Sequence, residues 1–379
     1  MRKKEIFFCL LMLFLLPTYY AQGVLYPSGG MVGQIILLLF FLISLFYFFK
    51  VLFFTKERLP LFIKIWTGLL LLNIIGFFLK GKFDNENISI LRSILLNLLP
   101  FYAFYYFAQK GILKRQHLIA VLTVLTPLCI VLFIQSNLQL QDLRNREDVV
   151  DNTIYLFLGL IPFVFLFKRK VYAIIALLIF WIFIVQSAKR AAVVCGAAGI
   201  LLFFYYQLKT LNKQYLIRSY FIGIGLIFGI SYWGYNYFTE NEFLLTRIMQ
   251  MSEGDTSGRD QLSKAVFFSW YESNNLMVYL FGRGFNTSSE VTTHVSHNDW
   301  LEMLAGFGIL GFFIYFSIFS IAFKEFLHKN WSFDKKIIFI CIIMIGVVTS
   351  LTSRWYWSSF AYSQCLLLPY ILATRNNEK

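Results

Sequence analysis

The sequence predicts an all-α protein, a polytopic membrane helical bundle, from its composition and from the spacing of its apolar residues. Of the 379 residues, 58% are hydrophobic and 20% aromatic, whereas only 14% are charged. One soluble core cannot bury that much apolar surface. The apolar residues recur in runs long enough, or nearly so, to cross about 30 Å of hydrocarbon as helices. No run alternates with the period of two that a barrel strand shows, so a single integral membrane domain over residues 1–379 is expected.

About twelve apolar runs are predicted to be transmembrane helices. They lie near residues 6–21, 31–54, 61–79, 90–108, 118–135, 153–167, 171–187, 191–206, 220–238, 300–323, 337–351 and 360–373. The first run could imitate a signal peptide, but the bulky Tyr19 and Tyr20 stand where cleavage needs a small residue, so a retained helix is expected. Residues 239–297 are expected to form a large extracytoplasmic loop between helices 9 and 10.

The cysteines suggest neither a disulfide framework nor a thiolate metal site. All five lie within apolar runs, without paired spacing. They are expected to be small residues of the core. The five are Cys9, Cys129, Cys195, Cys341 and Cys365.

The basic residues set the expected orientation, because Lys and Arg favour cytoplasmic loops. Alternate loops that begin with the N-terminus hold 22 of the 34 basic residues but only 5 of the 20 acidic ones. Both termini are therefore expected in the cytoplasm, and the large loop outside. The net charge of +14 calls for no nucleic-acid partner, since a basic inner face is the ordinary topological signal and also suits anionic membrane lipids.

Of the twelve basic residues that lie elsewhere, three stand out. Arg92 lies two residues inside the fourth predicted span, where a charge is costly without a partner or a wet cavity. It is a candidate site residue or an arginine that reaches the interface. Lys189 and Arg190 occupy a short outer turn before the small-residue run 191–199, which permits close helix packing. They form a candidate anion-binding corner, since arginine's planar fork suits a phosphate, or an interfacial anchor.

The large loop is predicted to contain one amphipathic helix. From Arg259 to Phe281, apolar residues recur at roughly helical spacing. This helix either covers apolar helix ends or places Arg259 over a substrate phosphate. Gly282 and Gly284 then break the helix. Arg283 between them is a binding candidate or a plain surface residue.

Two histidines precede the tenth predicted span. His294 and His297 could share a helix face as metal ligands, but no third imidazole or thiolate is expected outside the membrane here. No metal is therefore expected. His297 is a candidate general base, with Asp299 and Glu302 close enough in sequence to orient it. The alternative is an interfacial histidine without a role.

The residues around His297 carry a family resemblance. His297-Asn298, nine residues, Gly308, two residues and Gly311 resemble the signature of the O-antigen polymerase (Wzy-type) and O-antigen ligase superfamily of polytopic membrane glycosyltransferases. The specific similarity covers roughly residues 187–316, and the first half of the chain is similar only in topology. The two glycines are expected to let another helix approach the tenth span.

Other features follow the order that this superfamily shows. They are an arginine in a short outer turn after a serine (187–190), Arg259 early in the large loop with Trp270 downstream, and a Phe-Gly-x-Gly sequence at 281–284. Lys189 is a departure, because the family pattern more often has a small polar residue there. The resemblance implies a GT-C-like fold.

The resemblance also implies an activity. It is the transfer of a polyprenyl-pyrophosphate-linked oligosaccharide, outside the cytoplasmic (inner) membrane, without a nucleotide sugar, a metal or another cofactor. His297 would be the catalytic base, and Arg190 and Arg259 would hold the pyrophosphate. Arg92 would be a weaker helper. The binding residues implied for the substrates are Arg92, Lys189, Arg283, Asn298 and Glu302.

The acceptor distinguishes the functions that remain open. In a polymerase it is the hydroxyl of a lipid-linked repeat unit, and a chain-length regulator protein is then a candidate partner. In a ligase it is the lipid A core or another surface acceptor. A transporter of lipid-linked oligosaccharides is a third alternative, but the unusual charges cluster on the outer side only. Polymerase is preferred, since such chains vary widely outside the motif.

The charge distribution generates a topological prediction. Single cysteines replacing Ser289 and Lys213, in a background without the native cysteines, should react with an impermeant thiol reagent from opposite sides of the membrane. The predicted loop containing Ser289 should react from outside. Labelling of both positions from outside would show that the orientation is wrong.

Overall fold

The computed structural model is all-helical and contains no strand within the residues it describes. These are residues 2–25, 30–55, 58–144, 152–187, 189–210, 259–292, 297–327, 331–356 and 361–375, with positions 225, 229, 232 and 236. The α-helices are α1 Arg2–Leu25, α2 Met31–Phe54, α3 Leu61–Lys80, α4 Asn85–Leu98, α5 Pro100–Gln109, α6 Arg115–Arg144, α7 Ile154–Leu160, α8 Lys170–Gln186, α9 Arg190–Thr210, α10 Arg259–Tyr271, α11 Leu276–Phe281, α12 Thr287–Thr292, α13 Asp299–Leu327, α14 Phe333–Thr352 and α15 Leu368–Thr374. A 3₁₀ turn, Ile161–Leu166, continues α7, and a π turn, Ser363–Leu367, precedes α15.

In the described part of the chain, eight helical segments are long and apolar enough to cross a membrane. They are α1, α2, α3, α4 with α5, α6, α9, α13 and α14. Three shorter apolar helices cover 154–166, 170–186 and 363–374. Each of these segments falls on a predicted run, whereas the ninth run, 220–238, lies outside the described residues apart from four positions. The helical, multi-pass class is confirmed, and the number of twelve spans stays a prediction.

Two short segments form the centre of the bundle. Every residue of α5 from Pro100 to Ala108 is buried, as is every residue of 154–166 except Tyr155. A helix that is apolar on all sides and has no exposed face belongs inside the bundle. The outer surface is also apolar, since Phe14 and Phe78 expose 66% and 62% of their surface. All five cysteines are buried, as predicted.

α8 ends at Gln186 and α9 begins at Arg190, which agrees with the short connection predicted between them. The small residues of α9 let its neighbours come close. A Cβ atom on Gly196 would lie 3.0 Å from Ile184 of α8, and one on Gly199 would lie 2.9 Å from Ile161. The turn that carries Lys189 is therefore held by closely packed helices on both sides.

The predicted single helix over 259–281 is wrong in its continuity. The chain leaves the helix after Tyr271, and a second helix, α11, begins at Leu276. The side chain of Asn275 caps α11, because its Oδ1 accepts a hydrogen bond from the Met277 amide at 2.9 Å. Polar residues of this kind compete with helical hydrogen bonds and favour caps. The loop therefore contains two separate helices where the sequence predicted one.

A break divides the membrane helix α13. Gly308 has φ 63° and ψ −158°, which is not helical. The backbone amides of Arg283 and Gly284 donate hydrogen bonds to the carbonyls of Ala305 and Gly306, at 2.9 and 2.8 Å. Residues 282–284, here named the inserted segment, thus satisfy carbonyl groups beside the break. This matters because an unpaired backbone group is costly within a membrane.

The contact between the inserted segment and α13 requires glycine on both sides. Gly282 and Gly308 both have positive φ, 75° and 63°. A Cβ atom on Gly308 would lie 2.5 Å from the backbone of α11, and one on Gly282 would collide with the backbone of Gly306. The predicted role of Gly308 is therefore confirmed, and the element that approaches is the end of α11. A Cβ atom on Gly311 would lie instead 2.8 Å from the Met303 carbonyl within the broken helix.

The same part of the loop is tied to the turn between α3 and α4. Lys80 and Lys82 form ion pairs with Glu290, at 2.8 and 3.3 Å, and Glu86 accepts a hydrogen bond from Asn286 at 3.2 Å. Burial would raise the pKa of the Glu290 carboxyl, but the contacts with Lys80 and Lys82 outweigh it and hold the pKa below its usual range. The end of α3, the loop and the broken helix α13 thus form one connected unit.

The inserted segment generates a stability prediction. Gly308→Ala should destabilise the protein by at least the roughly 1–3 kcal/mol that a strained backbone residue costs, because the added methyl group meets backbone. The matched control is Gly68→Ala in α3, where a Cβ atom would have its nearest neighbour at 4.0 Å. The measurement is the melting temperature of the purified protein in detergent. Equal melting temperatures of the two variants would contradict the described contact.

Candidate functional site

The candidate site lies where α13 begins. The side chain of Asn298 caps this helix, since its Oδ1 accepts hydrogen bonds from the amides of Trp300 and Leu301 at 3.0 and 3.1 Å. A cap of this kind fixes the first turn of a helix. That turn carries Asp299 and Glu302, which are three residues apart and therefore share a face.

Asp299 holds the turn that follows α14. Its carboxylate is buried, and Oδ2 accepts hydrogen bonds from the Tyr315 hydroxyl at 2.8 Å and from the amides of Trp355 and Tyr356 at 2.6 and 3.4 Å. From the other side, Asn97 of α4 donates to the carbonyls of Trp355 and Tyr356 at 3.2 and 2.7 Å. Two helices, α4 and α13, thereby fix the backbone of residues 355–356.

Glu302 is also buried, with 2% of its surface exposed. The hydroxyl and amide of Ser288 face its carboxylate, and the charge of Arg354 is close. Neither carboxylate oxygen has a hydrogen-bond partner within 3.5 Å in the described part of the chain. The burial of this carboxylate is offset by the two donors of Ser288 and by the positive charge of Arg354.

Arg354 is a residue of this site that the sequence interpretation missed. It lies in the turn after α14, within electrostatic range of Glu302 and Asp299. Burial lowers the pKa of its guanidinium, and the two carboxylates oppose that change. The sequence contained one indication that Arg354 is unusual. Arg354 follows the predicted span 337–351 on the outer side, so it breaks the charge rule in the same way as Lys189.

Two further cations are connected to the same turn. Lys189 is buried, donates a hydrogen bond to Asn152 and lies 4.3 Å above the ring of Tyr155. Arg259 donates through Nη1 to the carbonyl of Thr352 at 3.2 Å, at the end of α14. Tyr155 is within electrostatic range of both Arg259 and Asp299.

The residues that meet here come from four elements distant in sequence, and they are here named the carboxylate–cation site. Its members are Lys189, Arg259, Asp299, Glu302 and Arg354. Arg190 begins α9 directly beside Lys189 and is partly exposed. Of the predicted site residues, the structure therefore assembles Lys189, Arg259 and Glu302 and places Arg190 next to them.

His297 lies just before α13, two residues from Asp299. It is exposed and has φ 49°, a left-handed backbone that is uncommon outside glycine and is enriched at functional positions. The hypothesis that Asp299 or Glu302 orients His297 is not supported, because neither carboxylate hydrogen-bonds to it among the described residues. The start of α13 turns both carboxylates inward. His294 lies outside the described residues.

Two predicted binding residues lie elsewhere. Arg283 donates through Nε and Nη2 to the carbonyl of Ser269, at 3.0 and 2.6 Å, and so holds α10 to the inserted segment. Arg92 lines a cavity of about 80 Å³ between α1, α2 and α4, together with Tyr19 and Tyr20. Within the described residues, Arg92 makes no hydrogen bond or ion pair with the carboxylate–cation site.

Comparison with known proteins does not assign the chain to a family. No family profile matches the chain, and no curated protein matches it significantly. In the described part of the chain, no group of three or more His, Cys, Asp or Glu residues is arranged to hold a metal ion. The helical membrane fold and the carboxylate–cation site are therefore the observations on which a function rests.

Proposed function

We propose that this protein is a surface-polysaccharide polymerase of the cytoplasmic membrane. It transfers an oligosaccharide from a polyprenyl pyrophosphate to the hydroxyl of an acceptor repeat unit that is also lipid-linked. The observation that carries the proposal is the carboxylate–cation site, in which cations from separate elements surround the end of α14 beside His297. Such a site suits a reaction that releases a lipid pyrophosphate.

The resemblance to the O-antigen polymerase and ligase superfamily agrees with this proposal. Its two local motifs, Phe-Gly-x-Gly at 281–284 and the His297 motif with Gly308, touch each other through the inserted segment. Gly282 of one motif and Gly308 of the other then have one physical reason, which is the close backbone contact at the break in α13. That contact holds the loop against α13, whose first turn carries Asp299 and Glu302.

The cations have a direct role in the proposed reaction. As the bond between the anomeric carbon and the pyrophosphate oxygen breaks, negative charge develops on the departing lipid pyrophosphate. Arg190 and Arg259 neutralise that charge, with Lys189 beside them. Arg259 makes one hydrogen bond to another described residue, the one to Thr352, so most of its N–H groups can bind phosphate oxygens.

His297 acts as the general base. The acceptor hydroxyl attacks the anomeric carbon, a new carbon–oxygen bond forms, and the hydroxyl proton passes to an imidazole nitrogen of His297. The polyprenyl pyrophosphate leaves with the bonding electron pair. Exposure at the start of α13 makes His297 accessible to a sugar chain, whereas the buried carboxylates of Asp299 and Glu302 are not directly accessible in this way.

The position of the site at one end of the bundle favours group transfer over transport. The site is built from the start of α9, the start of α10, the start of α13 and the end of α14. A path for a translocated sugar would need polar groups through both leaflets. In the proposed orientation the site faces the periplasm or the cell exterior, and the donor lipid enters between helices from the outer leaflet.

The arginines generate one prediction. Arg190→Lys and Arg259→Lys should each lose most of the transferase activity although the charge is kept, because lysine lacks the planar fork that binds two phosphate oxygens. Arg283→Lys should have a mild effect, since a lysine can still donate to the Ser269 carbonyl. Activity is measured as polymer formed per amount of inserted protein. Full activity of both Arg190→Lys and Arg259→Lys would remove these residues from the mechanism.

A second prediction tests the function and the base together. Deletion of the gene should leave single repeat units on the surface carrier, and His297→Ala supplied in place of the native gene should do the same. The variant should be inserted at normal abundance, with the rate of transfer reduced by about two to four powers of ten, as expected for a lost general base.

The control for this experiment is His294→Ala, which should retain most of the activity. Chelators should leave the wild type unaffected. Long chains that accumulate on the polyprenyl lipid after deletion would indicate a ligase instead. Equal loss in both histidine variants, together with loss of activity on chelation, would contradict the assignment of His297 as the base.

A further inference from the structure

α11 consists of apolar and aromatic residues only, and none of them is buried. Its sequence is Leu-Met-Val-Tyr-Leu-Phe. Leu276, Met277 and Phe281 expose 68%, 63% and 55% of their surface. Such a helix is unfavourable in water, and a contiguous exposed apolar surface marks a site of interaction.

The end of α10 extends this exposed surface. Trp270 donates through Nε1 to the Tyr279 carbonyl at 3.4 Å, and the rings of the two residues lie 5.2 Å apart, so the two helices are neighbours. Trp and Tyr favour the interface between a membrane and water. The six most exposed large apolar residues of the two helices are here named the apolar loop face. They are Phe268, Tyr271, Leu276, Met277, Leu280 and Phe281.

Contacts with two membrane helices fix the level of α11. A Cβ atom on Gly308 would lie 2.5 Å from the backbone of Leu280, so the end of α11 touches α13 at its break. The Phe307 ring beside this break packs against Gly76, four residues before α3 ends at Lys80. At about 1.5 Å per residue, that contact lies about 6 Å inside the end of α3. Since α3 and α13 are both candidate membrane spans, α11 reaches the level of their apolar residues.

The membrane helices next to α11 also expose apolar side chains. Phe78 and Leu79 lie in the last turn of α3, Leu310 and Phe313 follow the break in α13, and all four are exposed. In a bilayer, exposed apolar side chains of a membrane span contact acyl chains. The apolar loop face borders α13 through Leu280, so the loop and the membrane helices form one apolar surface.

The backbone of α11 meets a condition for entering hydrocarbon, where an unpaired polar group is costly. The side chain of Asn275 binds the amide of Met277, and its carbonyl binds the amides of Val278 and Tyr279. At the other end of α11, the amide of Gly282 binds the Val278 carbonyl. These donors are therefore satisfied within the loop and do not require water.

We propose that the apolar loop face is a lipid-binding surface, which enters the hydrocarbon of the membrane leaflet nearer to Lys80. Its partner is the acyl chains of the phospholipids, while the polar connection 272–275 stays among the headgroups. Amphipathic helices at a membrane surface sink about 5–10 Å into the boundary between headgroups and acyl chains. The large loop is then attached to the bilayer as well as to α13.

The experiment places a nitroxide spin label at Met277→Cys, in the full-length protein without its native cysteines, reconstituted in phospholipid vesicles. Oxygen concentrates in hydrocarbon, whereas a polar nickel chelate stays in water. Electron paramagnetic resonance measures the accessibility of the label to each reagent. The ratio of oxygen to nickel accessibility should exceed that at Glu272→Cys by about tenfold, because hydrocarbon excludes polar groups.

Two control positions define the limits of this measurement. Phe313→Cys, exposed on α13, should behave as Met277→Cys does, and Glu272→Cys, exposed in the polar connection, should favour nickel. A label at Met277 that nickel reaches as readily as at Glu272 would place the apolar loop face in water and overturn the proposal. A label that neither reagent reaches would show a protein partner or a second copy there, and would overturn it as well.

A measurement on the unmodified protein excludes effects of the substitutions. A lipid-soluble photoreactive probe in the same vesicles should attach to residues 276–281 as strongly as to residues 309–313, and more strongly than to residues 272–275. Attachment to 276–281 no stronger than to 272–275 would contradict the lipid contact. Neither measurement requires a sugar or a polyprenyl pyrophosphate, so the result is independent of the proposed transferase activity.

Discussion

The backbone contact between the inserted segment and α13 is the interaction on which the rest of the site depends. A helix that breaks within a membrane leaves carbonyl groups that water cannot reach, and each must find a partner within the protein. The amides of Arg283 and Gly284 supply these partners for Ala305 and Gly306. The same hydrogen bonds fix the large loop to the membrane domain. One contact thus satisfies the broken helix and positions the loop.

Buried charge is the second constraint. Asp299 and Glu302 are both almost fully buried, and such groups are tolerated only with hydrogen bonds or opposite charges. Asp299 solves this by binding the turn after α14, and that turn carries Arg354 towards Glu302. The carboxylates therefore organise the cations of the site. This arrangement gives residues without an exposed surface a role in positioning the cations of the proposed reaction.

The proposed chemistry is distributed over elements with separate tasks. Lys189 and Arg190 depend on the close packing of α8 and α9, Arg259 on the end of α14, and His297 on the cap that begins α13. Glycosyl transfer from a lipid pyrophosphate needs a proton acceptor near an accessible surface and cations near the membrane. The structure offers both at one end of the helices. In the proposed reaction, the lipid part of the donor stays in the bilayer while the sugars react outside.

The sequence by itself determined the class of the protein and the positions of the helices. Hydropathy depends on local composition, so the apolar runs, the buried cysteines and the short connection between α8 and α9 were all predictable. The close approach of another segment to α13 at Gly308 was also predictable from the sequence. The continuity of the helix over 259–281 was predicted wrongly, since the cap at Asn275 outweighs the apolar periodicity around it.

Only the tertiary structure decided which charged residues meet. Arg283 was a binding candidate in the sequence, yet its guanidinium binds the Ser269 carbonyl. Arg354 was not predicted as a site residue, yet it lies within electrostatic range of Glu302. Local sequence does not determine these pairings, because they depend on how distant helices pack and on which way each turn faces. The inward direction of Asp299 and Glu302, away from His297, has the same origin. A basic residue outside its expected loop is visible in the sequence, but the carboxylate, carbonyl or ligand that it contacts is set by the packing of the helices.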